Sequence, residues 1–97
     1  MGNSFPSEMS LLVLRLLRDA PAGLYGLELV EASGGKLKRG TVYVTLGRLE
    51  EKGFVESRTK PQDNHPGLPR PIYRINAVGQ QVLAAAEMMG LGLAGIV

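Results

Sequence analysis

The chain has 97 residues, a formal net charge of +2, and 44% hydrophobic against 21% charged residues. That length suits one domain, with a core thin enough that oligomerisation would help it. With no cysteine in the chain, disulfides, thiolate metal sites and cysteine nucleophiles are excluded, in keeping with a reducing cytosol.

Residues 1–6 read as a loosely ordered start. Ser7 is a suitable N-cap, and Glu8 is favourably placed in a first helical turn. The first helix is expected to run to about Asp19. Leu11, Leu12, Val13, Leu14, Leu16 and Leu17 make it apolar nearly all round, so it must be covered on more than one side. A small domain covers one side, and a second subunit is expected to cover the other. The segment Ala20-Pro-Ala-Gly23 is a turn. A second helix is expected from about Tyr25 to Ser33, with Leu24, Leu27 and Val30 inward. Gly34 and Gly35 then stop it.

Residues 41–45, Thr-Val-Tyr-Val-Thr, have strand propensity because β-branched side chains lose rotamer freedom in a helix. The longer pattern decides otherwise. Val42, Leu46 and Leu49 recur at helical spacing, and Lys52-Gly53 is a normal helix ending. A third helix is therefore expected from about Arg39 to Lys52, exposing Thr41, Tyr43 or Val44, Thr45 and Arg48. Residues 54–60 alternate as a strand. Residues 61–69 are a polar loop, and residues 71–75 form a second strand, with proline at its start. Together they make a two-stranded β-wing. Asn76 caps a fourth helix running from Ala77 to about Met89, with Val78, Val82, Ala85 and Met89 on one stripe. Gly90, Gly92 and Gly95 make the tail a poor helix. No signal peptide is expected, since Arg15 interrupts the N-terminal apolar segment. The apolar residues 82–97 fall short of the ~20 needed to span a membrane.

Positive charge is concentrated in one region. Residues 36–74 hold nine Lys/Arg against four Asp/Glu, a net +5, and the remainder carries −3. Such a segment is the footprint of a phosphate-binding surface. Lys36, Lys38 and Arg39 sit at the entry to the third helix, which in turn feeds a β-ribbon. That arrangement points to DNA binding, since the major groove admits one α-helix whose N-terminal residues reach base edges. Thr41 and Thr45 can bond phosphate or touch a thymine methyl group. Arg48 lies far enough along to grip backbone, and Arg70 follows Pro69 in a position to contact backbone or minor groove. His65 is the only histidine and has no partner at metal or acid–base spacing; it reads as a loop residue. No metal or cofactor is expected.

Five motifs stand in order: Tyr25-Gly-Leu-Glu-Leu29, Gly40-Thr-Val-Tyr43, Leu46-Gly-Arg-Leu-Glu-Glu-Lys-Gly53, Gly67-Leu-Pro-Arg70 and Tyr73-Arg-Ile-Asn76 followed by Gly79. Over roughly residues 10–88 the chain resembles the PadR family of winged-helix transcriptional regulators. The resemblance implies an α+β, mostly α winged helix-turn-helix: three helices, a two-stranded β-wing and a C-terminal dimerisation helix. It implies one domain over 1–97, with a DNA-binding core at 7–75 and a dimerisation helix and tail at 76–97. Tyr43 matches the family's DNA-facing tyrosine, with Val44 beside it where the family commonly has proline. Lys38-Arg39 replaces the usual Ser-Pro pair. Leu68 and Pro71 replace two basic residues of the family's wing, so the charge has moved from wing to helix entry.

The resemblance also implies a homodimer in which Leu83, Ala86, Met89 and Leu93 of the last helix join Leu12 and Leu16 of the first. Such a dimer would read a palindromic operator, most simply as a repressor that occludes a promoter. A small-molecule effector at the dimer interface and a cytoplasmic location, on the nucleoid when bound, follow from the same likeness. The rival reading is a winged-helix module for protein partners with no direct DNA role, and exposed Val44 is the residue that suits it. An enzyme is not expected, because no nucleophile–base pair, metal cluster or phosphate-cradling loop is visible.

Overall fold

The computed structural model describes residues 7–59 and 70–90. The wing loop with His65, the tail with Leu93, and residues 1–6 lie outside the described residues. Four helices and three strands follow in the order α1 (Glu8–Arg18), β1 (Leu24–Tyr25), α2 (Gly26–Ala32), α3 (Arg39–Glu51), β2 (Val55–Thr59), β3 (Pro71–Ile75) and α4 (Ala77–Met88). Ser7 caps α1, its hydroxyl oxygen accepting from the Ser10 N–H at 3.2 Å. Leu11, Val13, Leu14 and Leu17 of α1 are buried, while Leu12 and Leu16 are half-buried.

The strands form one antiparallel sheet in the order β1-β3-β2. Val55 pairs with Ile75 and Thr59 with Pro71, while Tyr25 pairs with Ile72 on the other edge of β3. The two expected wing strands, β2 and β3, thus pair as a hairpin, and β1 adds a third strand to their sheet. A two-residue strand is too short to show alternation, which is why β1 has no sequence signature.

Leu14 and Leu17 of α1, Leu29 of α2, Val42, Leu46 and Leu49 of α3, Val55 of β2, and Leu83 and Ala86 of α4 build the core, with Leu37 between α2 and α3. In α2 the buried residues are Gly26 and Leu29; Leu27 and Val30 are only half-buried. Arg18 ties α1 to α4 through an ion pair with Glu87 at 2.8 Å. That hydrogen bond is the main reason the Arg18 guanidinium is held above its usual pKa.

The docking of α4 also differs from expectation. Gly79, Leu83 and Ala86 face the core, whereas Val78 is 49% exposed and Met89 60% exposed. Both stripes are apolar, so hydrophobicity alone does not choose between them. Contact at Gly79 decides. A Cβ there would stand inside van der Waals distance of the Phe54 carbonyl oxygen and 2.8 Å from Ile75 Cγ1. Asn76 locks the same corner. Its side-chain oxygen accepts from the Gly79 N–H at 2.8 Å, and its Nδ2 donates to the Gly53 carbonyl at 2.7 Å. The Asn76 N–H donates to the Phe54 carbonyl at 3.1 Å. Leu83 and Ala86, expected at a dimer interface, are spent on the subunit's own core at 1% and 0% exposure.

Candidate nucleic-acid interface

The entry to α3 is shaped by a single apolar residue among charges. Leu37 is buried between Lys36 and Lys38, and this alternation turns Lys36, Lys38 and Arg39 outward, where all three are exposed. Ser33 holds the approach in place. Its hydroxyl donates to the Val30 carbonyl at 2.7 Å and accepts from the Leu37 N–H at 2.9 Å. Sequence reasoning missed Ser33; a buried serine after a helix, four residues before a leucine, is a weak signal. Gly34 and Gly35 take φ of 66° and 97°, a left-handed pair that reverses the chain between α2 and α3 at no side-chain cost.

Helix α3 buries Val42, Thr45, Leu46 and Leu49 and presents Gly40, Thr41, Tyr43, Val44, Gly47, Arg48, Glu50 and Glu51 to solvent. Thr45 corrects the expectation. It is 7% exposed, because position 45 lies between 42 and 49 on the buried stripe of a 3.6-residue repeat. Tyr43 and Val44 are both outward, at 46% and 55% exposure. Tyr43, Val44, Gly47, Arg48, Glu50 and Glu51 line a shallow groove on this face.

Charge is graded along the helix. Three cations stand at its N-terminal entry, whereas at its C-terminal end the carboxylates Glu50 and Glu51 offset Arg48 and Lys52. The helix dipole runs the same way, positive at the N-terminus. A polyanion is therefore favoured at the first turns over the last. Glu50 is partly engaged, accepting from the Ser57 hydroxyl at 2.7 Å. Tyr73 lies beneath this edge. Burial, then the Glu50 carboxylate and Tyr43, push its phenol above the usual value, so it stays uncharged at neutral pH.

At the start of β3, Arg70 is exposed and stacks on Tyr25, its Cζ 4.8 Å from the ring centroid. Arg74 is held away from this face, its Nε donating to the Pro21 carbonyl at 3.2 Å. The fold thus gathers Lys36, Lys38, Arg39, Thr41, Tyr43, Val44 and Arg48 on the α2–α3 turn and the outer side of α3, and leaves Thr45 out. Among the described residues no cluster of His, Asp or Glu could hold a metal ion. No helix among them is long and apolar enough to cross a membrane.

Three crystal structures resemble this arrangement. A PadR family transcription regulator from Clostridium difficile R20291 superposes with a TM-score of 0.73 at 23% identity, covering 87% of this chain and 88% of that one. A PadR family transcriptional regulator from Eggerthella lenta is 29% identical, with a TM-score of 0.67 over 84% of this chain and 73% of that one. Bacillus subtilis PadR, solved in complex with operator DNA, gives 0.72 at 22% identity over 82% of this chain and 47% of that one. These likenesses make the fold a winged helix-turn-helix. No curated protein sequence matches the chain significantly. The profile of the transcriptional regulator PadR-like family matches residues 13–85. The chain belongs to the PadR-like family of transcriptional regulators. In this PadR-like regulator the paired basic residues Lys38-Arg39 and Val44 are exposed at the helix entry and on the outer face of α3.

Proposed function

We propose that this PadR-like regulator binds double-stranded DNA as a homodimer, with the N-terminal half of α3 in the major groove. The observation that carries the reading is the graded outer face of α3: Lys36, Lys38 and Arg39 exposed at its entry, Thr41, Tyr43 and Val44 on its first two turns. The cations and Arg48 meet phosphates, Tyr43 donates to a phosphate, and Thr41 and Val44 face base edges, where a methyl group suits thymine. Arg70 meets the backbone beside the groove. The Thr41 hydroxyl also bonds a base edge or phosphate, so Thr41→Val, which keeps the methyl group and removes the hydroxyl, is expected to weaken binding by about 1 kcal/mol, a hydrogen bond's worth. Thr45→Val, on the buried side, is expected to leave affinity unchanged; fluorescence anisotropy with a labelled duplex measures both.

The dimer surface in this reading is the outer stripe of α4 with the outer side of α1. Val78, Met88 and Met89 are 49%, 88% and 60% exposed, Val82 lies on the same side half-buried, and Leu12 and Leu16 are half-buried on α1. Leu83 and Ala86 are replaced in this role by Val78 and Val82. Residues 7–75 then act as the DNA-binding core and 76–97 as the dimerisation segment, with an effector, where one binds, between α1 and α4. Val78→Glu with Val82→Glu is expected to convert a dimer into a folded monomer by light scattering and to abolish binding to a palindrome. A two-fold dimer sets its recognition helices one DNA turn apart, about 34–36 Å. The protein then acts in the cytoplasm as a repressor that occludes a promoter. Hydroxyl-radical footprinting tests the whole arrangement. Two protected half-sites about 10 base pairs apart are expected. A monomer that protects no duplex would leave the α3 face to an acidic protein partner.

A further inference from the structure

Two adjacent residues at the start of α2 each hold one of the side chains assigned to the DNA backbone. The first is Gly26. A Cβ there would stand 2.5 Å from Tyr43 Cε1, 2.6 Å from Cζ and 2.7 Å from Oη. The ring of Tyr43 therefore lies directly on the Gly26 backbone, in space that any other residue would fill. Gly26 is not among the positive-φ glycines, so backbone conformation does not demand glycine here; the ring does. Its neighbour Tyr25 carries Arg70 on its ring, 4.8 Å from centroid to Cζ. Stacking takes up the flat face of a guanidinium and leaves the N–H donors in its plane free. Tyr25 is itself fixed, its N–H donating to Glu28 Oε1 at 2.8 Å and its backbone paired with Ile72 in the sheet.

We propose that Tyr25 and Gly26 are positioning residues for DNA binding, seating Arg70 and Tyr43 so that both reach the same stretch of sugar–phosphate backbone. The inference rests on the DNA-binding reading and adds to it two residues that face no DNA themselves. It also gives the wing side of the site a fixed anchor: Arg70 enters β3 already ordered. A long arginine ordered before binding loses less side-chain freedom on contact. The Gly26 backbone likewise supports one side of the Tyr43 ring, which is otherwise 46% exposed.

Double-mutant cycles on DNA affinity test it, because they isolate the coupling between side chains in contact. Gly26→Ala is expected to lower affinity about tenfold in the wild-type background and to have no effect in a Tyr43→Ala background, a coupling of ordinary size for touching residues. Tyr25→Leu is expected to weaken binding while the slope of log K against log salt stays the same, since the Arg70 charge remains. Tyr25→Phe keeps the ring and restores wild-type affinity. Arg70→Ala lowers the slope by about one, and Tyr25→Leu adds nothing on top of it. Circular dichroism at the binding temperature checks that each variant is folded, and the Tyr25 series decides if Gly26→Ala is not. Equal losses from Gly26→Ala in both backgrounds, or a Tyr25→Phe as weak as Tyr25→Leu, overturn the inference while the DNA reading stands. A folded wild type that binds no duplex at low salt overturns both.

Discussion

Alanine at position 79 is expected to destabilise the protein by about 3 kcal/mol, near the top of the range for overpacking a well-filled site. The reason is the identity of the obstructing atom. The added methyl group meets the carbonyl oxygen and carbon of Phe54, which are backbone, and the Cγ1 of Ile75. A flexible side chain could swing away; a carbonyl that already accepts from the Asn76 N–H cannot. The start of α4 must lift off the β2 entry, opening the contacts of Leu83 and Ala86. For a domain of this size the loss corresponds to a fall in Tm of more than about 10 °C, readable by circular dichroism. Gly47→Ala is the control. Its Cβ would meet nothing within 4 Å, and alanine there is expected to raise stability by up to about 1 kcal/mol through helix propensity.

Removing Lys38 and Arg39 together is expected to weaken DNA binding about a hundredfold at moderate salt. Each charge-assisted contact to a phosphate contributes on the order of 1.5 kcal/mol, or about tenfold. The slope of log K against log salt should also fall by about two, since roughly one counterion is released per phosphate neutralised. Both side chains are exposed and neither takes part in an ion pair among the described residues, so the double Lys38→Ala, Arg39→Ala variant should keep its Tm. Titrating affinity against salt for variant and wild type measures both effects. An unchanged slope would mean these cations do not meet phosphate.

Most of the architecture was legible in the sequence because strong periodic signals coincided with clear stops. Ser7, Gly53 and Asn76 mark element ends by their own chemistry, and β3 begins at Pro71 as expected. Helix α3 shows pattern outweighing propensity: its Thr-Val-Tyr-Val-Thr start is helical because Val42, Leu46 and Leu49 need one face. The failures share a cause. Where two apolar stripes compete, as on α4, composition is silent, and a single backbone contact at Gly79 selects the buried one. Thr45 was misplaced because threonine suits either a groove or a core edge, and only the burial of its neighbours settles which. Strand β1 was invisible at two residues, yet it fixes the place of Tyr25 against β3. Seats such as Gly26 under Tyr43 lie 17 positions apart in the chain, and no local pattern links them.

The central claim is that the graded face of α3 meets DNA. Its most direct test is a salt titration of the full-length protein on a duplex from the region upstream of its own coding sequence. Binding should tighten as salt falls, with log K linear in log salt and a slope of several units. The same duplex should be bound more tightly than an unrelated one of equal length. Absence of binding to any duplex at about 50 mM salt, where phosphate contacts are strong, would contradict it.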